Sequence, residues 1–248
     1  MNLDYDHVKI ALIEWLKGQV KNAGADGVVL GLSGGIDSSV TAVLAKKAFP
    51  ENTLGLVMPC YSNEQDKIDA IKIAKRFEID YKVKDLAPFY DSFKNVINAQ
   101  NEKSKNNLAL ANVKPRLRMT TLYYYSAQNN YLVLGTDNWS ELKVGYFTKY
   151  GDGGIDLTVL GRLVKTEVRE LARHLEIPQE IIEKKPSAGL WKDQTDEEEM
   201  GLTYQQLDHY ILTGEAEPEI KEKIEKLSQK NSHKLDPIPV PDREILLT

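Results

Sequence analysis

Short runs of consecutive apolar residues alternate along this chain with longer segments in which apolar positions recur at helical spacing. Four runs predict strands, at residues 28–32, 54–58, 79–83 and 131–134, and all but the third are almost continuously apolar. Between them, helical patterns cover residues 38–49, 64–77 and a long stretch from about 86 to 128. Continuous apolar strands separated by helices are typical of a parallel sheet covered on both faces. The pattern therefore predicts an α/β fold with a doubly wound, mainly parallel sheet flanked by helices.

Both ends of the chain add helices to this core. Apolar residues between positions 8 and 20 share one face of a first helix, which residues 22–24 end. Three further amphipathic stretches predict helices at residues 165–177, 204–213 and 218–229. The last of them is followed by a tail that prolines interrupt.

Three segments show neither the apolar runs of a strand nor the helical spacing of apolar residues. Residues 98–114 open with polar side chains, and we expect a loop there before a helix around 119–127. The glycine-rich residues 145–161 are too irregular for a long helix and predict a loop that shapes a ligand site. Residues 186–201 are polar and acidic, which favours a lid that moves when no ligand is bound.

The length of 248 residues and the hydrophobic content of 42% suit one domain with a sizeable core. We expect the sheet and its helices at roughly residues 25–185, and the lid with a helical C-terminal part at 186–248. No window approaches the ~18 apolar residues that cross a membrane. The start of the chain carries early acidic residues and no continuous apolar run, so it does not resemble a signal peptide.

Charge and cysteine content narrow the possible partners. With 37 acidic and 32 basic residues the chain offers no broad positive surface to a nucleic acid, so local basic groups must hold any anionic ligand. The single cysteine, Cys60, excludes an intrachain disulfide and a cysteine zinc cluster. This cysteine usage agrees with a reducing compartment, and we expect a cytoplasmic protein.

The sequence GLSGGIDSS at residues 31–39 joins the first predicted strand to a helix. Free backbone N–H groups at a helix start bind anions, and Gly34 and Gly35 let the backbone close on a phosphate. The pattern fits neither the dinucleotide-binding fingerprint nor the lysine-containing phosphate loop. Asp37 would repel a phosphate unless a metal ion lay between them, so the segment predicts a nucleotide phosphate site that contains Mg²⁺.

The segment SGGxDS after an apolar strand resembles the pyrophosphate loop of the ATP pyrophosphatases of the amidotransferase and synthetase type. Further motifs make the chain similar to the ammonia-dependent NAD synthetases within that group: LGTDNWSE, GYFTKYGDGGIDL, VKPRLRM, KKPSAGLW, QTDEEEMG and the pair His233-Lys234. They occur in the family's order and cover the chain nearly end to end. The resemblance implies an adenine nucleotide alpha hydrolase-like fold.

The resemblance also implies the roles of individual residues. The ATP site would comprise Gly31, Leu32, Ser33, Gly34, Gly35, Ile36, Asp37, Ser38, Thr136, Lys165 and Ser187. The deamido-NAD site would comprise Arg116, Lys149, Asp156, His233 and Lys234. Asp37 and Glu141 would bind Mg²⁺, and Asp37, Lys165 and Asp156 would act in catalysis. Because Asp37 and Glu141 each follow a predicted parallel strand, both carboxylates are expected at one sheet edge.

Several of these positions have alternatives. Arg118 could exchange roles with Arg116, since both guanidinium groups can bind a phosphate in bidentate fashion. Asp156 could instead be only a turn residue of GDGGID, where Asp152 would serve a turn as well. The ring that stacks on the acceptor could belong to Tyr146, Phe147 or Tyr150.

The implied reaction has two steps. The nicotinate carboxylate of deamido-NAD attacks the α phosphorus of ATP and releases pyrophosphate; ammonia then attacks the acyl adenylate and AMP leaves. Such chemistry needs positioning, cations and hydroxyl groups, and no covalent nucleophile. Glutamine-using relatives carry an amidase domain with a cysteine nucleophile, for which we expect no counterpart here. The resemblance also implies a homodimer.

Two other functions compete with this one. Another ATP pyrophosphatase, such as a tRNA-thiolating or GMP-forming relative, would share the loop, but a thiolase would be expected to bring extra cysteines or a basic RNA surface. A regulatory module of the stress-protein type would bind ATP without cleaving it. A second metal ligand, Glu141, and a charge-neutralising Lys165 argue against passive binding.

Overall fold

The computed structural model describes residues 3–98, 108–186 and 195–246. Over these residues, five strands form one sheet: β1 Gly27–Gly31, β2 Thr53–Val57, β3 Asp80–Val83, β4 Tyr131–Gly135 and β5 Leu157–Thr158. All four neighbouring pairs run parallel, in the order β3-β2-β1-β4-β5. The chain leaves β1 towards one edge and later returns to add β4 on its other side. The junction of β1 and β4 is therefore the place where connections diverge and ligands bind in such sheets.

Helices cover both faces of the sheet. In chain order they are α1 Tyr5–Asn22, α2 Ile36–Ala48, α3 Glu64–Arg76, α4 Ala87–Val96, α5 Leu108–Ala111, α6 Val113–Asn129, α7 Trp139–Val144, α8 Lys165–His174, α9 Gln179–Ile182, α10 Asp196–Met200, α11 Tyr204–Thr213 and α12 Pro218–Asn231. Short 3₁₀ turns follow at Ser232–Lys234 and Arg243–Leu246.

Three groups of buried apolar residues hold these layers together. Helices α1, α2 and α8 pack on one face of the sheet around Leu16, Leu44 and Leu171. Helix α6 lies on the other face against β1 and β4, where Val29 and Val133 are fully buried. A separate group joins α7 to the C-terminal helices α10, α11 and α12. The C-terminal helical unit thus packs against the helix that follows β4.

The four predicted strands are confirmed to within one residue at each end. The sequence pattern missed β5, which lies inside the segment predicted as a ligand-shaping loop. It contains two residues and pairs with the end of β4 through Leu134 and Gly135, so no periodicity could have indicated it. Over the described residues, no helix is long and apolar enough to cross a membrane.

The loop predicted at residues 98–114 extends too far. Residues 99–107 lie outside the described part, but α5 and α6 already occupy positions 108–111 and 113–129. Pro115 is the third residue of α6, where the N–H that a proline lacks has no helical partner in any case, so the helix can begin before it. In the predicted lid, α10 is helical, and its first-turn acidic side chains favour the positive end of the helix dipole.

Candidate active site

A cavity of about 610 Å³ opens at the carboxyl ends of β1 and β4. Its lining comes from the loop after β1, the segment after β4, one face of α6, the residues between α7 and β5, and the chain around 231–234. Side chains far apart in sequence therefore meet at one sheet edge, as the parallel topology requires.

The loop after β1 forms the floor of this cavity. Gly35 caps α2 without help from a side chain, and its own N–H donates to Ser33 Oγ at 3.2 Å. Ser38 Oγ lies 2.9 Å from Ser33 Oγ and donates to the Gly35 carbonyl at 3.0 Å. Gly34 has φ +79°, and a Cβ there would meet the Asp66 carbonyl oxygen at 2.2 Å, so only glycine fits. Apart from Gly34, every residue from 31 to 38 lines the cavity.

A buried lysine joins the two carboxylates that were predicted to bind metal. Lys165 is the first residue of α8, and its Nζ lies 2.5 Å from Asp37 Oδ2 and 3.1 Å from Glu141 Oε1. Its side chain is 2% exposed. Desolvation alone would lower the pKa of Lys165, but attraction by Asp37 and Glu141 outweighs it and the net shift is upward. The ammonium group is therefore charged within the protein.

Local hydrogen bonds aim Glu141 at this lysine. Asn138 caps α7 by accepting from the Glu141 N–H at 3.1 Å, and Glu141 Oε2 accepts from the Asn138 N–H at 3.1 Å. This reciprocal capping box leaves Oε1 facing Lys165. The Asn138 side chain also donates to Asp37 Oδ1 at 2.9 Å. Burial raises the pKa of Glu141 to about 7; Lys165 opposes the rise and Asp37 adds to it.

The C-terminal helical unit also contacts Glu141 and Lys165, through Tyr204. Tyr204 is fully buried on α11, and its hydroxyl lies 3.1 Å from both Glu141 Oε1 and Asp196 Oδ2. Burial, helped by the neighbouring carboxylates, raises the pKa of Tyr204. The hydroxyl therefore stays protonated and donates a hydrogen bond to these carboxylates.

Asp208, one helical turn further along α11, fixes the start of α8. Its two carboxylate oxygens accept from Ser140 Oγ at 2.5 Å and from the Thr166 N–H at 2.7 Å. Ser140 Oγ in turn accepts from the Lys165 N–H at 3.0 Å. The sequence pattern did not predict Tyr204 or Asp208. Their only signal was that two polar side chains share the buried face of a helix with Leu207.

The carboxylates present suit a metal that arrives with its substrate. No group of three or more potential ligands is close enough to hold an ion by itself among the described residues. Mg²⁺ commonly uses one or two carboxylates and completes its shell with phosphate oxygens and water. Asp37 and Glu141 already share one cation, and Oδ2 of nearby Asp137 is buried without a hydrogen-bond partner in the described structure. This donor set fits Mg²⁺ bound to a nucleotide.

The basic residues predicted for the acceptor meet at the open end of the cavity. Arg116, Lys149, His233 and Lys234 all line it. Lys234 donates to the carbonyl oxygens of Gly145 at 2.6 Å and of Phe147 at 2.8 Å. Lys149 donates to the His233 carbonyl, and Arg116 donates to the Lys149 carbonyl at 3.3 Å. These contacts tie the 145–149 segment to the chain after α12.

Arg118 also lines the cavity, but its guanidinium group donates to the Met58 carbonyl and to Ser62 Oγ, both at 3.2 Å. Arg116 has the more exposed side chain, which favours it over Arg118 as the group left for a ligand.

The structure does not bring Asp156 to the lining of this cavity. Its carboxylate accepts from Tyr123 OH at 2.9 Å and from the Val133 N–H at 2.7 Å, so it braces the edge of β4. Asp152 does line the cavity and accepts from the Thr148 N–H at 2.9 Å. The catalytic and acceptor-binding roles of Asp156 stay predictions. Thr136 lines the cavity, whereas Ser187 and the rest of 187–194 lie outside the described residues.

Comparison with known proteins identifies close relatives. The model of the NAD synthase family matches residues 8–238. The chain is 50% identical to the NH(3)-dependent NAD(+) synthetase of Carboxydothermus hydrogenoformans, over 94% of this chain and 96% of that protein. It is 49% identical to the protein of the same name from Syntrophomonas wolfei, over 92% and 93%.

Solved structures are similar over the same range. The NMN synthetase from Francisella tularensis matches with a TM-score of 0.91 and 36% identity, covering 97% of this chain and 100% of that one. The NH3-dependent NAD synthetase from Campylobacter jejuni matches with a TM-score of 0.79 and 32% identity, at the same coverage. A glutamine-dependent NAD+ synthetase from Acinetobacter baumannii matches over 97% of this chain but only 48% of its own, with a TM-score of 0.70 and 27% identity.

Proposed function

This chain belongs to the NAD synthase family, and we propose that it amidates deamido-NAD with ammonia at the expense of ATP, releasing NAD, AMP and pyrophosphate. The observation that carries the proposal is the buried Lys165 between Asp37 and Glu141, directly beside the loop after β1. Passive nucleotide binding does not require a desolvated ammonium group at that point, whereas cleavage of ATP between its α and β phosphates develops negative charge that such a group stabilises.

The first step forms the acyl adenylate. The nicotinate carboxylate oxygen forms a bond to the α phosphorus while the bond from that phosphorus to the bridging oxygen breaks, and the bonding electrons leave with pyrophosphate. The Ser33 and Ser38 hydroxyls and the N–H groups at the start of α2 bind the departing phosphates. Lys165 stabilises the negative charge that grows on them, in a site where its own charge is fixed before the reaction.

The second step releases the product. Ammonia attacks the activated carbonyl carbon and the added nitrogen gives one proton to water. The carbon–oxygen bond to AMP then breaks, and its electron pair leaves on the phosphate oxygen of AMP. Mg²⁺, held by Asp37 and Glu141, would neutralise phosphate charge when bound. Thr136 and Ser187 complete the proposed ATP site, and the proposed acceptor site consists of Arg116, Lys149, Asp156, His233 and Lys234.

Free ammonia is the proposed nitrogen donor. The chain matches the ammonia-dependent relatives over nearly their whole length, but about half of the glutamine-dependent protein. The only cysteine is fully buried, and burial raises the pKa of the Cys60 thiol. A thiol without access or thiolate character cannot serve as an amidase nucleophile.

A homodimer is the proposed assembly. Large apolar side chains are exposed together on α4, namely Phe89, Phe93 and Val96, with Tyr124 exposed on the neighbouring α6. Contiguous apolar patches of this kind mark interaction sites, and a second copy would cover them symmetrically. Sedimentation equilibrium should give twice the chain mass, and Phe93→Glu should shift the protein towards the monomer.

One assay tests the reaction. The protein is incubated with ATP, Mg²⁺, ammonium and deamido-NAD, and NAD, AMP and pyrophosphate are expected in equal amounts. Asp37→Ala, which removes a phosphate-side carboxylate, should abolish turnover while the protein stays folded. Absence of NAD, with ATP binding intact, would contradict the proposal and favour a passive nucleotide-binding module or another ATP pyrophosphatase.

A second candidate acceptor is tested in parallel in the same assay. The likeness to a protein named NMN synthetase, with a TM-score of 0.91, favours the corresponding mononucleotide acid as an alternative acceptor. Parallel reactions with nicotinate mononucleotide measure kcat/KM for both acceptors. The proposal predicts the higher value for deamido-NAD, and a higher value for the mononucleotide would replace it with the second function.

A further inference from the structure

Lys184, which follows α9, reaches across to the phosphate loop. Its Nζ lies 3.4 Å from the Gly34 carbonyl oxygen, 2.7 Å from Asp66 Oδ1 and 2.6 Å from Asp69 Oδ2. It lines the active-site cavity but lies away from the Lys165 group described above. One side chain therefore joins the loop after β1, helix α3 and the chain that follows α9.

The Gly34 carbonyl belongs to the peptide that joins the two glycines of the loop. In a trans peptide the C=O and N–H groups point in opposite directions. With the carbonyl directed to Lys184, the Gly35 N–H is directed to Ser33 Oγ at the cavity floor. Glycines on both sides of this peptide offer little steric resistance to its rotation. A flipped peptide would present a carbonyl oxygen to the phosphates and would weaken anion binding.

Two carboxylates of α3 hold the Lys184 ammonium group in place. Asp66 and Asp69 are one turn apart on α3, and both carboxylates contact its ammonium group. The Asp69 side chain is 9% exposed, and its Oδ1 accepts from Gln65 Nε2 at 2.8 Å. Because two carboxylates neutralise Lys184, it adds no net positive charge to the cavity. Its contribution must come from the group it orients.

We propose that Lys184 is a positioning residue that holds the peptide between Gly34 and Gly35 with its N–H directed into the phosphate site, where Ser33 Oγ accepts from it before a ligand binds. The inference rests on the proposed function only in that ATP occupies this loop. Lys184 would thus contribute to ATP affinity although it contacts neither Asp37 nor Glu141 in the interactions described above.

A neighbouring ion pair provides a matched control. Lys72 on α3 contacts Glu180 on α9, so this pair also ties the two segments together, but it does not touch the phosphate loop. Both side chains of the pair are about half exposed. Lys184→Met and Lys72→Met therefore both remove a cation that joins α3 to the chain around α9, and only Lys184 contacts Gly34. Lys184 is the more buried of the two, so the urea midpoint of each variant is measured beside its ligand binding.

The test measures binding of α,β-methylene-ATP, which the enzyme cannot cleave, by titration calorimetry, together with kcat and both KM values. Lys184→Met should weaken analogue binding and raise the KM for ATP roughly tenfold, as expected when a hydrogen bond from a charged donor is lost. The KM for deamido-NAD should stay within twofold. Lys72→Met should leave all values within twofold, and Lys184→Arg should restore part of the affinity.

Unchanged analogue binding in Lys184→Met would overturn the inference. Equal losses in Lys72→Met, or an equal rise in both KM values, would also overturn it, because they would mark a general tether between α3 and α9. If Lys184→Met does not fold, Asp69→Asn replaces it, with a smaller loss of analogue affinity expected and unchanged affinity again contradicting. Failure of the unmodified protein to bind the analogue would instead contradict the proposed function.

Discussion

The two ends of the cavity hold their charged groups in different ways. At the buried end, Lys165 is paired with Asp37 and Glu141 before any ligand arrives. At the open end, Lys149 and Lys234 donate to backbone carbonyl oxygens, and neither forms a salt bridge with another described residue. Buried charges must be compensated within the protein, whereas half-exposed ones can remain available to an anionic substrate. Under the proposed function, the buried end would serve the reaction and the open end the recognition of the acceptor.

This difference separates the expected effects of substitutions. Changes at the buried end should lower kcat and stability together, because they disturb a preorganised group of charges. Changes at the open end should raise the KM for the acceptor and leave kcat nearly unchanged, because they remove binding energy that ground and transition states share.

After Asp37→Ala, the largest effect is expected from Lys165→Met. Loss of the charge that stabilises the departing pyrophosphate should lower kcat by roughly 10²–10³-fold. Lys143→Met, exposed on the same helix as Glu141, is the control and should keep its activity. Near-normal AMP release by Lys165→Met would show that this ammonium group is not needed for cleavage.

Lys165→Met should also change how stability depends on pH in the absence of Mg²⁺. Two largely buried carboxylates would lose their cation, at a cost of up to about 3–5 kcal/mol near pH 7. The folded pKa of Glu141 already exceeds its ordinary value of 4.5 and reaches about 7. A carboxyl group with a raised folded pKa takes up a proton on folding, so stability falls as the pH rises through this range. Urea unfolding should show the deficit shrinking from pH 7 towards 4.5.

Asp208→Asn comes next. Asparagine removes the negative charge that strengthens both bonds. If its oxygen keeps the Thr166 N–H, its NH2 group faces Ser140 Oγ, which must then accept instead of donate, so both contacts are weakened. The free energy of unfolding should fall by about 1–3 kcal/mol, and kcat should fall by up to roughly 10²-fold as the start of α8 shifts. Glu225→Gln neutralises an exposed carboxylate of the same helical unit and should change neither quantity. An unchanged kcat in Asp208→Asn would show that α8 is held without this contact.

Tyr204→Phe should act mainly on metal binding. The ring, which packs over Lys165 at 4.9 Å, is retained, but Glu141 Oε1 loses its hydroxyl donor. Removal of a group that orients a metal ligand typically costs 10–100-fold in affinity, so the Mg²⁺ concentration for half-maximal rate should rise roughly tenfold. Tyr210→Phe, on the same helix as Tyr204, removes a hydroxyl that contacts exposed Glu225 on α12 and should have no effect. If Tyr210→Phe raised the required Mg²⁺ concentration as much as Tyr204→Phe, the effect would reflect stability of the helical unit and not orientation of Glu141.

Parts of the site formed by residues close together in sequence could be predicted, and parts formed by the packing of distant segments could not. Strand β1, its glycine pair and α2 are contiguous, so the phosphate loop and Asp37 could be predicted from one segment. Glu141 could be placed with it because parallel strands end at one edge, whereas the placement of Lys165 depends on the resemblance to the family. Tyr204 and Lys184 could not, because their roles depend on which helices pack together. The two-residue strand β5 exists only through pairing with β4, and no local pattern specifies it.

The smallest effect is expected from Lys234→Met at the open end. This lysine is half-buried, and burial lowers its pKa although Asp152 partly opposes the shift. Its loss frees the carbonyl oxygens of Gly145 and Phe147 and removes a cation from the acceptor side, which should raise the KM for deamido-NAD up to roughly tenfold. The KM for ATP and kcat should change less than twofold. Lys230→Met, an exposed lysine at the end of α12, should change no constant. A fall in kcat as large as that of Asp208→Asn would mean that the two ends act as one unit.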